Sequence, residues 1–451
     1  MTKISDETNI EKIEHKSKKN IALGTIVGYL SIIVSIASGL ILTPWIINNI
    51  GKAEYGLYGL ATSVISLFLL DFGLSATTNT YLAKLRAAGD KNGVQRFLAA
   101  IFKLYLTLDA LFIVIIVGLY FAAPYIYQNS YSQEQIKTLQ YLLIIVGGYS
   151  LVSFPSTTFT GVISTYEKFG INKLADLIQK LVYFGLTVAA IKLNWGVIGI
   201  TAVNAASGLL AVIIRFIYMR TYLNVKLDLR LKVTRKELKS IFVFSAWSLV
   251  YAICFRLIFN VTPSILGIVS SSSEIAIFTV VTTVEGYIYT FGAMTSTFFL
   301  AKVARTDNSG ITEDERRDHI QALASKVGKL QFTVIACIVL GFASVGQEFV
   351  AIWFNGDASF SGVYWCIIAL CAYEIVSIPQ IIFNSAMYTH GHIKPLAINS
   401  IVKAVINLGL SFWLSYRFGA FGACLAIMFL LLKEILEVEE VTQLEGNMQF
   451  G

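Results

Sequence analysis

The chain has 451 residues, 56% hydrophobic and 14% charged, with a net charge of +7 and a mean hydropathy of +0.68. A soluble domain carries about 25% charged residues, so this composition excludes a soluble enzyme and describes a polytopic membrane protein. The positive balance sits in loops between apolar runs, which argues for membrane topology and against a nucleic-acid surface.

The first uncharged run, residues 21–50, follows a hydrophilic tail at 1–20. It exceeds the roughly 20 residues that span a bilayer and is too long for a signal-peptide core of about 7–15. Hydropathy continues to twelve spans, near 21–50, 55–83, 97–123, 138–166, 171–192, 196–222, 241–268, 273–304, 327–345, 362–389, 394–415 and 419–437. Pro44, Pro155, Pro263 and Pro379 fall inside spans, where a missing N–H should kink or unwind the helix. The last span has a short uncharged stretch, 419–432, and then an acidic tail. It reads either as an amphipathic extension into water or as an early end, with no room for a thirteenth or fourteenth helix.

Lysines and arginines alternate between loops. The tail holds Lys3, Lys12, Lys16, Lys18 and Lys19, and the sixth loop holds Lys226, Arg230, Lys232, Arg235, Lys236 and Lys239. The loops after helices 7 and 9 hold none. The positive-inside rule then puts both termini in the cytosol. No loop is long enough for a folded extramembrane domain, and there is neither a GxxxxGK[ST] nor an HExxH motif. Cys254, Cys337, Cys366, Cys371 and Cys424 lie in apolar segments without paired spacing, as small packed hydrophobes do. His15, His319, His390 and His392 lie in loop or tail segments and read as solvated rather than metal-binding.

The chain writes one phrase twice. "LTPW" at 42–45 matches "VTPS" at 261–264, and Phe72-Gly73 matches Phe291-Gly292, both at an offset of 219. Leu82-Ala83-Lys84 matches Leu300-Ala301-Lys302. Ser153, Pro155 and Phe159 match Ser377, Pro379 and Phe383, and Gly196 and Gly199 match Gly419 and Gly422. Ordered matches at a nearly constant offset read as a duplicated six-helix unit. An even helix number makes both copies enter the membrane in the same sense, a plan on which transporters place substrate near the midplane at the repeat interface. The expected organisation is a cytosolic tail at 1–20, an N-lobe at 21–222, a basic cytosolic linker at 223–240, a C-lobe at 241–437 and an acidic cytosolic tail at 438–451.

The stretch "IALGTIVGYLSIIVSIASGLILTPWIINNIGKAEYGLYGL", and "YLAKLRAAGD" after the second helix, resemble the polysaccharide-biosynthesis flippases, the O-antigen and capsule repeat-unit translocases of the Wzx type. These belong to the superfamily of multidrug and toxin extrusion (MATE) transporters and lipid II flippases. The most familiar part is the glycine- and tyrosine-rich segment at 51–60. The resemblance implies an all-α membrane protein of two six-helix lobes, with helices 1, 2, 7 and 8 lining a cavity. It implies a substrate of oligosaccharide on polyprenyl pyrophosphate, moved across the bacterial cytoplasmic (inner) membrane in O-antigen, lipopolysaccharide or capsule synthesis. No covalent chemistry, catalytic residue or cofactor is expected.

Charges inside spans cost several kcal/mol unless paired or hydrated, so each is a functional candidate. Arg256 lies in mid-helix 7 and could grip a pyrophosphate with its planar donor fork. Asp71 and Glu285, mid-helix 2 and 8, could carry H⁺ or Na⁺. The alternative is an internal ion pair between Arg256 and one of these acids. Lys180 and Lys403 sit at equivalent repeat positions and could flank the headgroup path. Asp176, four residues before Lys180, could instead neutralise it, whereas the repeat gives Lys403 only Asn399. Lys103 and Arg215 lie near span ends and could snorkel. Asp109 and Glu374 read as structural, paired with Lys103 or Lys403. Trp45, Trp195, Trp353 and Trp413 lie near span ends, as interface anchors do.

Three functions fit this reading: a flippase for lipid-linked oligosaccharide, a drug or organic-cation exporter of the same superfamily, and a membrane polymerase or glycosyltransferase. The short, base-poor outer loops argue against the last, and central Arg and Lys argue against a cation exporter.

Overall fold

Helix forms wherever an apolar run lies between turn signals. The computed structural model describes residues 2–68, 89–128, 130–166, 168–225, 249–306, 313–389 and 393–447, with isolated positions between them. The elements are α1 (Thr2–Ile50), α2 (Lys52–Phe68), α3 (Lys91–Ile126), α4 (Gln133–Thr165), α5 (Phe169–Lys192) and α6 (Gly196–Thr221). They continue with α7 (Leu249–Val269), α8 (Ser272–Thr306), α9 (Glu313–Trp353), a short 3₁₀ turn at Ala358–Phe360 and α10 (Gly362–Thr389). A final run, Ile393–Asn447, is broken at Gly419 into α11 (393–418) and α12 (420–447). There is no strand among the described residues. Nine of these runs are long and apolar enough to cross a membrane. Because Gly419 divides the last of them, it contains two helices, while α2 and α8 are not among the nine. α12 continues helically through the acidic stretch to Asn447.

By contact the chain forms two compact units. Unit 1 comprises 1–50, 68–128 and 132–252; unit 2 comprises 51–67, 129–131 and 253–451. α2 therefore packs with the second unit although it follows α1 in sequence. The reason is a close seam. A Cβ on Gly56 would lie 1.8 Å from the Ser272 carbonyl oxygen, and one on Gly59 would lie 2.1 Å from Thr279 Oγ1. Only glycine lets α2 approach α8 so closely. These two glycines belong to the 51–60 segment that carries the family resemblance.

The prolines behave differently from one another. Helix runs through Pro44, Pro155 and Pro379. Before Pro263 the α7 helix is interrupted at residues 260–261 and restarts at Thr262. Two carbonyls near the break find side-chain donors. Asn407 Nδ2 on α11 donates to Ile258 O at 3.1 Å, and the Ser63 hydroxyl on α2 donates to Asn260 O. In hydrocarbon such carbonyls must be satisfied internally.

Repeat-matched glycines adopt matching backbone. Gly196 has φ +63° and Gly419 has φ +56°, both left-handed, and each opens the last helix of its repeat. Three residues on, Gly199 packs against Trp195 Cβ and Gly422 against the Leu414 carbonyl, where a Cβ would lie 2.2 and 2.0 Å away. The second Phe-Gly pair is also a contact point: Gly292 abuts Ile378, and its carbonyl accepts from Gln331 Nε2 at 2.9 Å. Gly73 lies outside the described residues.

The lipid-facing character is plain on α3, where Leu111, Val114, Val117 and Phe121 are exposed while Leu98, Ile101, Tyr105 and Phe112 are buried. Four of the five cysteines are buried, Cys337 is exposed, and all are free thiols.

Candidate functional site

In unit 1, α5 carries Asp176 and Lys180 one turn apart. Asp176 forms its ion pair with Arg215 on α6, not with Lys180. Both expectations for these residues need correction: Arg215 does not snorkel, and Asp176 is taken. A guanidinium fork on the neighbouring helix offers a carboxylate better-directed donors than the flexible ammonium on its own helix. Lys180 Nζ turns instead to α1 and donates to the Ser31 carbonyl at 3.2 Å. It is half-buried, bonded to that carbonyl and still within the field of the Asp176 carboxylate.

Asp109 on α3 is 5% exposed, and neither of its carboxyl oxygens has a hydrogen-bond partner. The expected pairing with Lys103 or Lys403 does not form. Lys103 is six residues back, which on a helix turns it well away from Asp109's face.

In unit 2, Arg256 is half-buried on α7, one turn before the break, and its carbonyl accepts from Asn260 N at 2.8 Å. Lys403 on α11 is 9% exposed. The Asn407–Ile258 bond fixes the register of these helices. One turn below it, Lys403 falls at the level of Cys254, so two cationic side chains stand at nearly the same height in unit 2.

The acids of unit 2 also come together. The Glu285 side chain on α8 is hydrogen-bonded to Glu374 on α10, with Tyr289 and Cys371 beside both. Glu374 is 1% exposed. Glu374 thus meets a second carboxyl, a contact that the sequence reading did not foresee. Two carboxyl groups hydrogen-bond only when one carries a proton. Sequence reasoning named Glu285 as a candidate ion carrier without its Glu374 contact; the signal was that both acids lie deep in their spans. Asp71, His390 and His392 lie outside the described residues. Among the described residues, no three His, Cys, Asp or Glu side chains gather as a metal site would require.

One more carboxylate is structural. Glu274 in the first turn of α8 accepts from Ala420 N at 2.7 Å, capping α12 where Gly419 breaks the chain. This satisfies an orphan donor and places negative charge at a helix N-terminus.

Solved structures share this fold. A multidrug resistance MATE family transporter of the MOP superfamily, inward-facing, is similar at TM-score 0.71 and 16% identity, over 93% of this chain and 98% of that one. The lipid II flippase MurJ, inward closed, is similar at TM-score 0.71 and 14% identity, over 94% and 87%. A MOP superfamily transporter from Pyrococcus furiosus Vc1 (DSM3638) is similar at TM-score 0.62 and 14% identity, over 93% and 94%. At these identities the likeness is one of fold. No curated protein matches the chain in sequence. The sequence profile of the polysaccharide biosynthesis proteins matches residues 21–298, more than half of the chain, and the chain belongs to that family.

Proposed function

We propose that this protein is a flippase that carries polyprenyl-pyrophosphate-linked oligosaccharide units, of the O-antigen or capsule type, across the bacterial cytoplasmic membrane by alternating access, with both termini in the cytosol. The observation that carries the reading is the pair of cationic side chains, Arg256 and Lys403, at one level of unit 2 within the membrane span. A pyrophosphate headgroup needs cationic donors deep in the membrane, and Arg supplies them in a planar fork. Lys180 plays the corresponding part in unit 1; its ammonium is bonded to the Ser31 carbonyl, while Asp176 makes its ion pair with Arg215. The Glu285–Glu374 pair is the coupling element of unit 2, exchanging its shared proton, or replacing it with Na⁺, as the site opens. Asp71, in the second span read from the sequence, has the same role. No sugar transfer is involved.

The test is headgroup translocation in proteoliposomes. A polyprenyl-pyrophosphate oligosaccharide is placed in the inner leaflet, and its access to an external glycosidase is followed. Protein-dependent exposure without sugar transfer supports the reading. No exposure across several oligosaccharides and ion gradients would defeat it. A second reading, export of organic cations, draws on the Glu285–Glu374 pair, since carboxylates attract cationic drugs. Efflux of cationic dyes that is lost in Glu285→Gln, with no oligosaccharide exposure, would establish that reading instead.

A further inference from the structure

α3 buries one stripe. Val94, Leu98, Ile101, Tyr105, Phe112 and Ile116 are each at most 9% exposed, at three-, four- and seven-residue steps as a helix face requires. Asp109 falls on that stripe between Tyr105 and Phe112. It is 5% exposed, and both its oxygens lack a partner. It also lies at the centre of the 92–126 span, so at about 1.5 Å per residue some 25 Å of helix separates it from either end. Its single methylene cannot bring the carboxyl to an interface, as longer side chains do. An ionised carboxylate without donors at this depth would cost several kcal/mol, whereas the neutral acid escapes most of that penalty.

α4 is the helix packed on this face. Tyr105 meets Phe154 edge-on at 4.8 Å, and Gln140 Nε2 donates to the Tyr120 carbonyl at 2.7 Å. This antiparallel register puts Asp109 level with Ser150, which is 2% exposed. The charged groups of α4 are Glu134 and Lys137, both in its first turns and far from this level. Its tyrosines are Tyr141, which is exposed, and Tyr149, whose hydroxyl abuts Gly208 on α6. On α3 itself, Lys103 points to another face and the Tyr105 ring packs on Phe154. The repeat offset of 224 carries Ser150 onto Glu374. Each unit therefore buries a carboxyl at the same packing level, from α10 in unit 2 and from α3 in unit 1.

We propose that Asp109 is a proton-binding site of unit 1, neutral in the described state and releasing its proton to water when the α3–α4 face hydrates during transport. The proposal rests on the reading of the protein as an ion-coupled transporter. It adds a second titrating carboxyl in the unit for which the sequence suggested none on this helix.

The test is infrared difference spectroscopy of the full chain in liposomes, between mildly acidic and mildly basic buffer, for wild type, Asp109→Asn and Asp109→Glu. The expected result is a carboxylic-acid carbonyl band that fades on raising the pH, is missing in Asp109→Asn, and returns at a shifted position in Asp109→Glu. In the same vesicles, Asp109→Asn should lose at least tenfold of any stimulation of oligosaccharide exposure by a proton gradient. Identical spectra for wild type and Asp109→Asn would overturn the proposal, because Asp109 would then be ionised throughout. A band assigned to Asp109 that never changes with pH would also overturn it, because the acid would then be a fixed structural group. A band that titrates in a protein that moves no oligosaccharide would uphold the proton site and defeat the substrate reading. Oligosaccharide exposure with a static band would do the reverse.

Discussion

The two units solve the same packing problem with different charges. Unit 1 closes Asp176 on Arg215, ties Lys180 to a backbone carbonyl and leaves Asp109 alone on a buried stripe. Unit 2 sets Arg256 and Lys403 at one level of the α7 and α11 helices and hydrogen-bonds two acids, Glu285 and Glu374. The offset of 219 carries Arg256 onto Ala37 in unit 1, so the guanidinium has no counterpart at the matching position. The two copies share backbone joints and differ in their buried charged groups. Backbone joints answer to sterics, which both copies share; the charged groups do not.

The comparison is broken most severely at Arg256. Arg256→Ala should abolish oligosaccharide exposure in proteoliposomes while leaving membrane insertion intact, whereas Ala37→Ser, at the matching place in unit 1, should change exposure less than twofold. Normal exposure in Arg256→Ala would remove the role given to unit 2.

The next effect lies in the acid pair. Glu374→Gln keeps a donor for Glu285, and Glu374→Leu removes it. An unsatisfied buried partner costs about 1–3 kcal/mol, so the leucine variant should unfold at a clearly lower temperature than the glutamine variant in a detergent melt. Both should lose response to an ion gradient. Equal melting of the two would show that the contact between the acids carries no stability.

The matched glycines sharpen the comparison further. A left-handed backbone costs an L side chain roughly 1–2 kcal/mol. Gly196→Ala meets open space and should incur that cost alone. Gly419→Ala also meets Glu274 Oε2, 2.4 Å from the new Cβ, and should displace the cap on Ala420. Its loss should exceed that of Gly196→Ala by about 1 kcal/mol, the worth of a helix cap. Paired thermal melts of the two variants give the difference directly.

The smallest effect separates two loops. α4 opens on a neutral capping box, in which Ser132 Oγ accepts from Gln135 N at 3.2 Å and Ser132 N donates to Gln135 Oε1 at 3.0 Å. The α9–α10 loop relies on Asp357, which accepts from Ser359 N at 2.9 Å. The Ser359 backbone and hydroxyl donors, with a lesser contribution from Lys52, hold the Asp357 carboxyl below its usual range. A depressed carboxylate adds stability above its unfolded value and loses it as the pH falls through its folded one. The small melting deficit of Asp357→Ala at neutral pH should therefore shrink on acidification, and that of Ser132→Ala should not.

Much of this was legible in the residues. Apolar runs fixed the helices, because a bilayer lets backbone groups bond only within the segment. The glycine matches at 196/199 and 419/422 were legible as a repeat, and two of those glycines take the left-handed backbone that glycine favours. The depth of Asp109 in its span was legible too, but not its lack of a hydrogen-bond partner. Charge pairing was not. Asp176 and Lys180 sit correctly for an in-helix bond, yet Arg215 on the next helix, 39 residues on, takes the acid.

The sequence by itself determined that this is a duplicated, all-helical membrane protein with charges deep in its spans. Only the tertiary structure decided which acid meets which base, that Glu285 meets another acid, that Glu274 caps a helix 146 residues away, and that α2 packs with the second unit through Gly56 and Gly59. The reason is one of range. Hydropathy and backbone geometry act within a few residues of the chain, whereas ion pairs, caps and close helix seams join groups that only the packing of separate helices brings within reach.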